Sequence, residues 1–445
     1  MNRQKLTRGL EQIFWVYLFF NPLLDIFNGF YYNVILGIGI YDVRHLTSLG
    51  ITPSLVIRLL FLIAFAAYVL LQKDKKSIFT ILPIGLAWLL SLLSEYLSTG
   101  ALDFFADAQY IAKFGYNLLV LMVYARVFRN HWERGTRDMD ERLELLLNVT
   151  ALVLSLSILI PALLGIGYST YADRLGYRGN CGFFYAANDV TAILSLLLPL
   201  TLAMTMRDGR RRFPALPLLA CALTANTLLI IGSKTAFLAL AVSFVLLLLY
   251  TFAASCKARS AALWKGYLLA LLASVIVFGL LMLLSGGGLF ETIQTSFGIT
   301  GTLAENEGAE MALLSGRGDK LRAHIADFRS GGILVWLFGL GRGSREAILE
   351  MDVLEVLFYY GIFGFVTMLW LYVRLAFQFF RDLFRRCDEI AFAAFAALGL
   401  VFGYLFIAGH VLFTVTSGFY FSLMILYSRV HFAARKQDIL LWKER

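Results

Sequence analysis

Between residues 286 and 350 an almost continuously apolar chain turns polar, and six basic residues, Arg317, Lys320, Arg322, Arg329, Arg342 and Arg345, gather there with a cluster of glycines. Guanidinium and ammonium groups beside closely spaced glycines suit the holding of anions such as phosphates. Residues 317–329 (RGDKLRAHIADFR) read as an amphipathic helix. Leu321, Ile325 and Phe328 fall at i, i+4 and i+7 and share one face, with Arg317, Lys320, His324 and Asp327 as an adjacent strip. Arg322 and Arg329 point elsewhere. The strip is either a solvated helix lying on a membrane surface or a set of groups, led by Arg317, that grips a phosphate-bearing lipid.

Next come Gly339, Gly341 and Gly343 with Arg342 and Arg345 beside them, a spacing that permits backbone amides to converge on an anion. No strand–turn–helix context supports a dinucleotide fingerprint there, and GSKT at 232–235 lacks the earlier glycine of a phosphate-binding loop. Glu350, Asp352 and Glu355 then stand at the start of an apolar helix. Carboxylates facing a basic surface are available bases for activating a hydroxyl, although acids at a helix N-terminus are also favoured by the helix dipole alone. Arg178, Asn188 and Asp189 in YRGNCGFFYAANDV, and His410 between two apolar runs, complete the polar candidates. Arg58, Lys113 and Lys234 lie just inside the ends of apolar segments, where they either snorkel or line a polar cavity. Asp25 is deeper, near Pro22.

The elements that must position these groups are membrane helices. The chain has 445 residues, 59% hydrophobic and 16% charged, with a mean hydropathy of +0.74. That composition predicts an all-α polytopic membrane protein. About twelve spans are expected, at 12–31, 53–72, 78–97, 105–127, 145–167, 187–206, 214–232, 234–255, 263–285, 352–380, 389–408 and 409–430. They form a single integral membrane domain with one large external loop, 286–350, carrying short amphipathic helices. The first run is too long for a cleaved signal peptide. KDKK at 73–76, RDGRRR at 207–212, CKAR at 256–259, RDLFRR at 381–386 and the basic tail fall on one set of connections. The positive-inside rule puts that set and both termini in the cytoplasm and leaves 286–350 outside. The net charge of +9 is this topological signal and implies no nucleic acid. Four scattered cysteines lack metal or redox spacing.

Several segments together resemble the O-antigen ligase and polysaccharide polymerase family of membrane glycosyltransferases. They are GFFYAANDVTAILSLLLPL at 182–200, IGSKTAFLAL at 231–240, SGR at 315–317 followed by LFGLG at 337–341, GIFG closing residues 350–364, and NPLLD at 21–25. The ligases of that family carry histidine and asparagine where this chain has Glu350 and Met351, and many members carry arginine where it has Lys234. The acidic E-M-D version resembles members from Gram-positive bacteria that make exopolysaccharide or teichuronic acid. The resemblance implies a bacterial plasma-membrane enzyme with an extracellular site. Its donor would be a polyprenyl-diphosphate-linked oligosaccharide and its acceptor a sugar hydroxyl of a second glycan, with no metal and no cofactor.

Under that resemblance Arg317 and Arg178 are expected to grip the diphosphate, with Lys234, Arg342 and Arg345 in support. Glu350 or Asp352 is expected to act as base, and Asn188, His324 and His410 to contact substrate. The rival is a flippase or transporter of lipid-linked oligosaccharide. That would need charges along the full depth of a cavity, whereas most candidates here cluster at one face.

Overall fold

The computed structural model describes residues 3–39, 42, 52–135, 138–171, 178–208, 214–255, 260–307, 310, 314–343, 348–409 and 411–436. Each predicted span coincides with a helix. In chain order these are α1 (Arg3–Phe30), α2 (Pro53–Gln72), α3 (Lys75–Thr99), α4 (Phe104–Glu133), α5 (Met139–Leu163), α6 (Ala187–Asp208), α7 (Ala215–Ile231), α8 (Lys234–Ser255) and α9 (Ser260–Leu284). The polar interval holds α10 (Gly288–Glu307), α11 (Arg317–Ser330) and α12 (Gly332–Phe338), and the chain ends with α13 (Asp352–Arg385), α14 (Glu389–Ile407) and α15 (Val415–Lys436). Among the described residues ten helices are long and apolar enough to cross a bilayer. The other two predicted spans correspond to α7, which has 17 residues, and α15, which carries Arg429 and His431 within it.

Several boundaries differ from expectation by five residues or more, and two of them have identifiable reasons. Helix α1 begins at Arg3, because its polar first turns are held by packing and ion pairs rather than by lipid: buried Glu11 binds Arg134 at 2.7 Å, Asn130 at 2.7 Å and Tyr68 at 2.8 Å. The last span starts at Val415 instead of 409, because Gly409 turns the chain at φ +62 and the amides of Val411 and Leu412 are taken by Asp352.

Helix α6 is the axis of the bundle, packed by α5, α7, α8, α9, α14 and α15, and its most apolar window is fully buried. It tolerates four buried hydroxyls because each donates back to a carbonyl one turn earlier: Thr191 to Ala187 and Ser195 to Thr191 at 2.7 Å, Thr205 to Thr201 at 2.8 Å, and Thr201 to Leu198 at 3.0 Å. Side-chain polarity is thus answered inside the helix, as a water-free surrounding demands. Helix α13 bends at Gly361 (φ 66, ψ −170). The carbonyl of Leu337 lies 2.4 Å from where a Cβ on Gly361 would be, so the bend seats the end of α12 against α13. Helix α12 leaves Ile333, Trp336 and Leu337 exposed, an apolar face beside a polar site that suits the membrane interface.

Candidate active site

At one end of the bundle the turns α3–α4, α5–α6, α7–α8 and α14–α15 meet the segment running from α10 to α13. Each turn has a local cause. In IGSKT, Gly232 (φ 67) caps the C-terminus of α7 and Ser233 Oγ accepts the Ala236 amide at 3.1 Å, capping α8. Two helix-end signals back to back therefore place Lys234 in the first turn of α8. A cation there opposes the helix dipole, at a cost of about 0.3–1 kcal/mol. In SGR, Ser315 (φ 54) and Gly316 (φ 86) turn the chain into α11, so that Arg317 is its first residue.

These turns gather charge. Arg317 Nη2 donates to Glu350 Oε2 at 2.7 Å, and Lys320 Nζ lies 3.6 Å from Glu350 Oε1. Lys234 Nζ donates to Ser315 Oγ at 3.2 Å, and its charge interacts with that of Arg317. The Tyr171 phenol stands beside the Lys234 amide and Arg317; burial pushes its pKa up, and those two neighbours pull it back. Glu350 and Lys320 remain about one-third exposed (33% and 35%), while Arg317 is largely enclosed (11%). The result is a partly open pocket of cations occupied by one carboxylate.

A layer of buried groups fixes it from below. His324 Nδ1 lies 2.7 Å from the Lys320 carbonyl and its Nε2 lies 3.2 Å from the Tyr359 hydroxyl. A carbonyl only accepts, so Nδ1 carries a proton, and in the neutral ring Tyr359 donates to Nε2. Tyr359 in turn accepts the Leu349 amide at 3.4 Å. Glu355 accepts the Glu350 amide at 2.6 Å and the Tyr110 hydroxyl. The predicted apolar face of α11 is seated here too, Phe328 meeting Phe358 edge-on at 5.4 Å, while Arg322 turns outward to Glu310 and Asp319.

The structure brings Arg317, Lys234 and Glu350 together and adds Lys320 and Tyr171. His324 is buried beneath this group. Asp352 begins α13, 2% exposed, and its Oδ2 accepts the Val411 and Leu412 amides at 2.8 and 2.7 Å. Arg342 lies on the far side of Tyr359, its guanidinium 6.0 Å from that ring and 5.5 Å from the ring of Tyr110. Arg178 pairs its backbone with Tyr171 and donates from Nη1 to the Thr295 carbonyl at 3.1 Å, which turns its side chain toward α10. Asn188 sits half-buried in the first turn of α6. Arg345 and His410 lie outside the described residues.

The glycine-rich turn does not present its amides to a ligand. Gly339 donates to Val335, Leu340 to Phe358 and Gly341 to Tyr359, at 2.7, 2.8 and 3.1 Å, and the amides of Arg342 and Gly343 go to Asp107. Its convergent amides do meet an acid, but one supplied by α4. The glycines are needed for close approach: a Cβ on Gly339 would lie 2.2 Å from the Tyr359 carbonyl oxygen and one on Gly341 2.2 Å from Glu95 Oε2. Tyr171, Tyr359 and Tyr110 carried no signal in the sequence beyond being tyrosines near polar turns.

The family described as O-antigen ligase like membrane proteins matches residues 8–312. The chain belongs to this family. Membership places it among membrane proteins that ligate or polymerise glycans. Neither a curated protein nor a solved structure matches the chain. The matched stretch contains Arg178, Asn188 and Lys234 and stops short of Arg317 and Glu350, so within the O-antigen ligase-like architecture the Arg317–Glu350 pairing is seen through this chain's own geometry.

Proposed function

We propose that this chain is a metal-independent glycosyltransferase that transfers a polyprenyl-diphosphate-linked oligosaccharide to a glycan hydroxyl at the outer face of the bacterial plasma membrane. The observation that carries the reading is the pairing of Arg317 and Lys320 with Glu350, with Lys234 beside Arg317, at one end of a bundle of membrane helices. In the reaction the anomeric C–O bond to the diphosphate breaks and the electron pair leaves on the phosphate oxygen. The acceptor oxygen forms the new bond to the anomeric carbon and gives up its proton. Charge grows on the leaving diphosphate as the bond breaks, so cations that hold it more tightly at that stage lower the barrier. Arg317, with Lys320 and Lys234, is placed for that role, and Glu350 is the carboxylate at hand to receive the acceptor proton. A metal would supply the same charge stabilisation; here guanidinium and ammonium groups do so.

The exposed apolar face of α12 holds the site at the level where a lipid's headgroup meets water, which fits a donor that stays in the bilayer. The outer-face assignment draws on the charge asymmetry of the connections. The test is incubation of the purified protein with a lipid-diphosphate oligosaccharide, an acceptor glycan and a metal chelator. Longer glycans should form with wild-type protein and not with Arg317→Gln. Donor that crosses liposomes without any new bond would replace this reading with a flippase.

A further inference from the structure

Glu350 occupies the centre of the cationic pocket through its side chain, yet its backbone is held by other elements. It is a non-glycine residue at φ +61, a conformation that is costly for such residues and persists only where the surroundings impose it. They do so here: its amide is fixed by Glu355 Oε1 at 2.6 Å, and Gly409 packs so closely that a Cβ there would lie 2.8 Å from the Glu350 carbonyl oxygen. The carboxylate, by contrast, is one-third exposed and spreads its two oxygens over Arg317 and Lys320 at 2.7 and 3.6 Å. Rotation about side-chain bonds alone would move it out of the pocket while the main chain stays in place.

A carboxylate and a phosphate offer a guanidinium the same paired acceptor oxygens. We propose that Glu350 is a resident anion in the donor's phosphate site, held there by Arg317 and Lys320 until a diphosphate displaces it and frees it to face the acceptor hydroxyl. This rests on the reading of the Arg317 cluster as the phosphate site. Displacement makes the order of events part of the chemistry. While no donor is bound, the base is held in ion pairs with two cations and the site keeps a net positive charge that draws an anion. When the diphosphate takes over Arg317 and Lys320, the released carboxylate stands next to the leaving group's partner bond, free to take the proton that the acceptor oxygen loses as it attacks the anomeric carbon. Lys320 becomes a donor-binding residue in its own right, one turn along α11 from Arg317.

Binding of inorganic pyrophosphate to the full chain in detergent, followed by calorimetry, tests the displacement without requiring the natural donor. Glu350→Gln removes the competing charge. Glu350→Asn removes it with a residue that tolerates positive φ well, which guards against a folding defect. Both variants should bind pyrophosphate about tenfold more tightly than wild type, as expected when one charge-assisted competitor is deleted, and Arg317→Gln should lose binding. Unchanged or weaker binding by both Glu350 variants, with Arg317→Gln still defective, overturns the displacement and leaves the phosphate site standing. Wild-type affinity in Arg317→Gln overturns the phosphate site itself.

Discussion

Asp107 Oδ2 accepts the amide of Gly343 at 2.7 Å. Its other oxygen takes the amide of Arg342 at 3.2 Å, and Glu95 shares a hydrogen bond with it, so the glycine-rich turn is tied to the mouths of α3 and α4 by acids buried in the bundle. Asp107→Ala leaves two amides unanswered, at about 1–3 kcal/mol for each buried group that finds no substitute partner. The variant should unfold several degrees below wild type in a detergent thermal melt. Asp107→Asn, which retains an acceptor, should lie between the two.

The same turn predicts a steric result. Gly339 sits at φ +91 with the Tyr359 carbonyl oxygen 2.2 Å from its missing Cβ, and Ser94 Oγ donates to its carbonyl at 2.6 Å. Gly339→Ala therefore has to shift α13 or α3. Because Tyr359 also anchors His324, the shift reaches the cationic pocket. Loss of transfer activity together with a lowered melting temperature is the expected outcome. Gly399→Ala, where nothing lies within 4 Å of the added methyl, is the control and should behave as wild type.

Arg317→Lys keeps the charge and loses the planar fork. Its guanidinium now reaches the Leu314 carbonyl at 3.4 Å and Glu350 at 2.7 Å at once, a span an ammonium cannot reproduce from the same position. Transfer should fall at least tenfold with the protein still folded and membrane-inserted, judged by gel filtration and melting. Near-normal transfer would move the phosphate contact to Lys320 or Lys234.

Much of this architecture is legible in the sequence because the bilayer demands long apolar helices: every predicted span falls on a helix, and ten of the twelve are long and apolar enough to cross. What hydropathy cannot see is polar helix stabilised by tertiary contacts, such as the first turns of α1 around Glu11, or helix written in glycine and threonine, such as α10. The pocket was legible in part. Arg317, Lys234 and Glu350 stand out as charges at helix ends, where charge has to be accounted for. Arg178 stands out equally, yet its side chain goes to Thr295, since a two-residue bridge with Tyr171 decides which way it faces and no periodicity reports that. Asp352 looks like a free acid at a helix start; only the path of the α14–α15 turn reveals that two amides already claim it.

The side of the membrane on which the pocket lies follows from labelling. With the exposed native Cys387 replaced by serine, cysteine at the exposed positions Asp319 or Lys76 should react with an impermeant maleimide in intact cells only at 319. Labelling at 76 alone would invert the topology and put the pocket in the cytoplasm.

The two acids that open α13 provide the sharpest division of roles. Glu350 faces the cations and is partly open to solvent, whereas Asp352 is buried with its Oδ2 committed to Val411 and Leu412. If Glu350 takes the acceptor proton, Glu350→Gln retains size and hydrogen bonding but cannot accept it. Single-turnover transfer should then drop by about 10²–10⁴-fold, the usual consequence of losing a general base, in protein that melts like wild type. Asp352→Ala should do the reverse. It withdraws charge-assisted acceptors worth about 1.5–3 kcal/mol each, so the melting temperature should fall, while turnover per folded molecule stays within a few-fold of wild type. A fall in turnover for Asp352→Ala that exceeds its loss of folded protein, with Glu350→Gln fully active, would exchange the two assignments. Activity in both variants would remove the carboxylates from proton transfer, and His410 would then be the first residue to substitute.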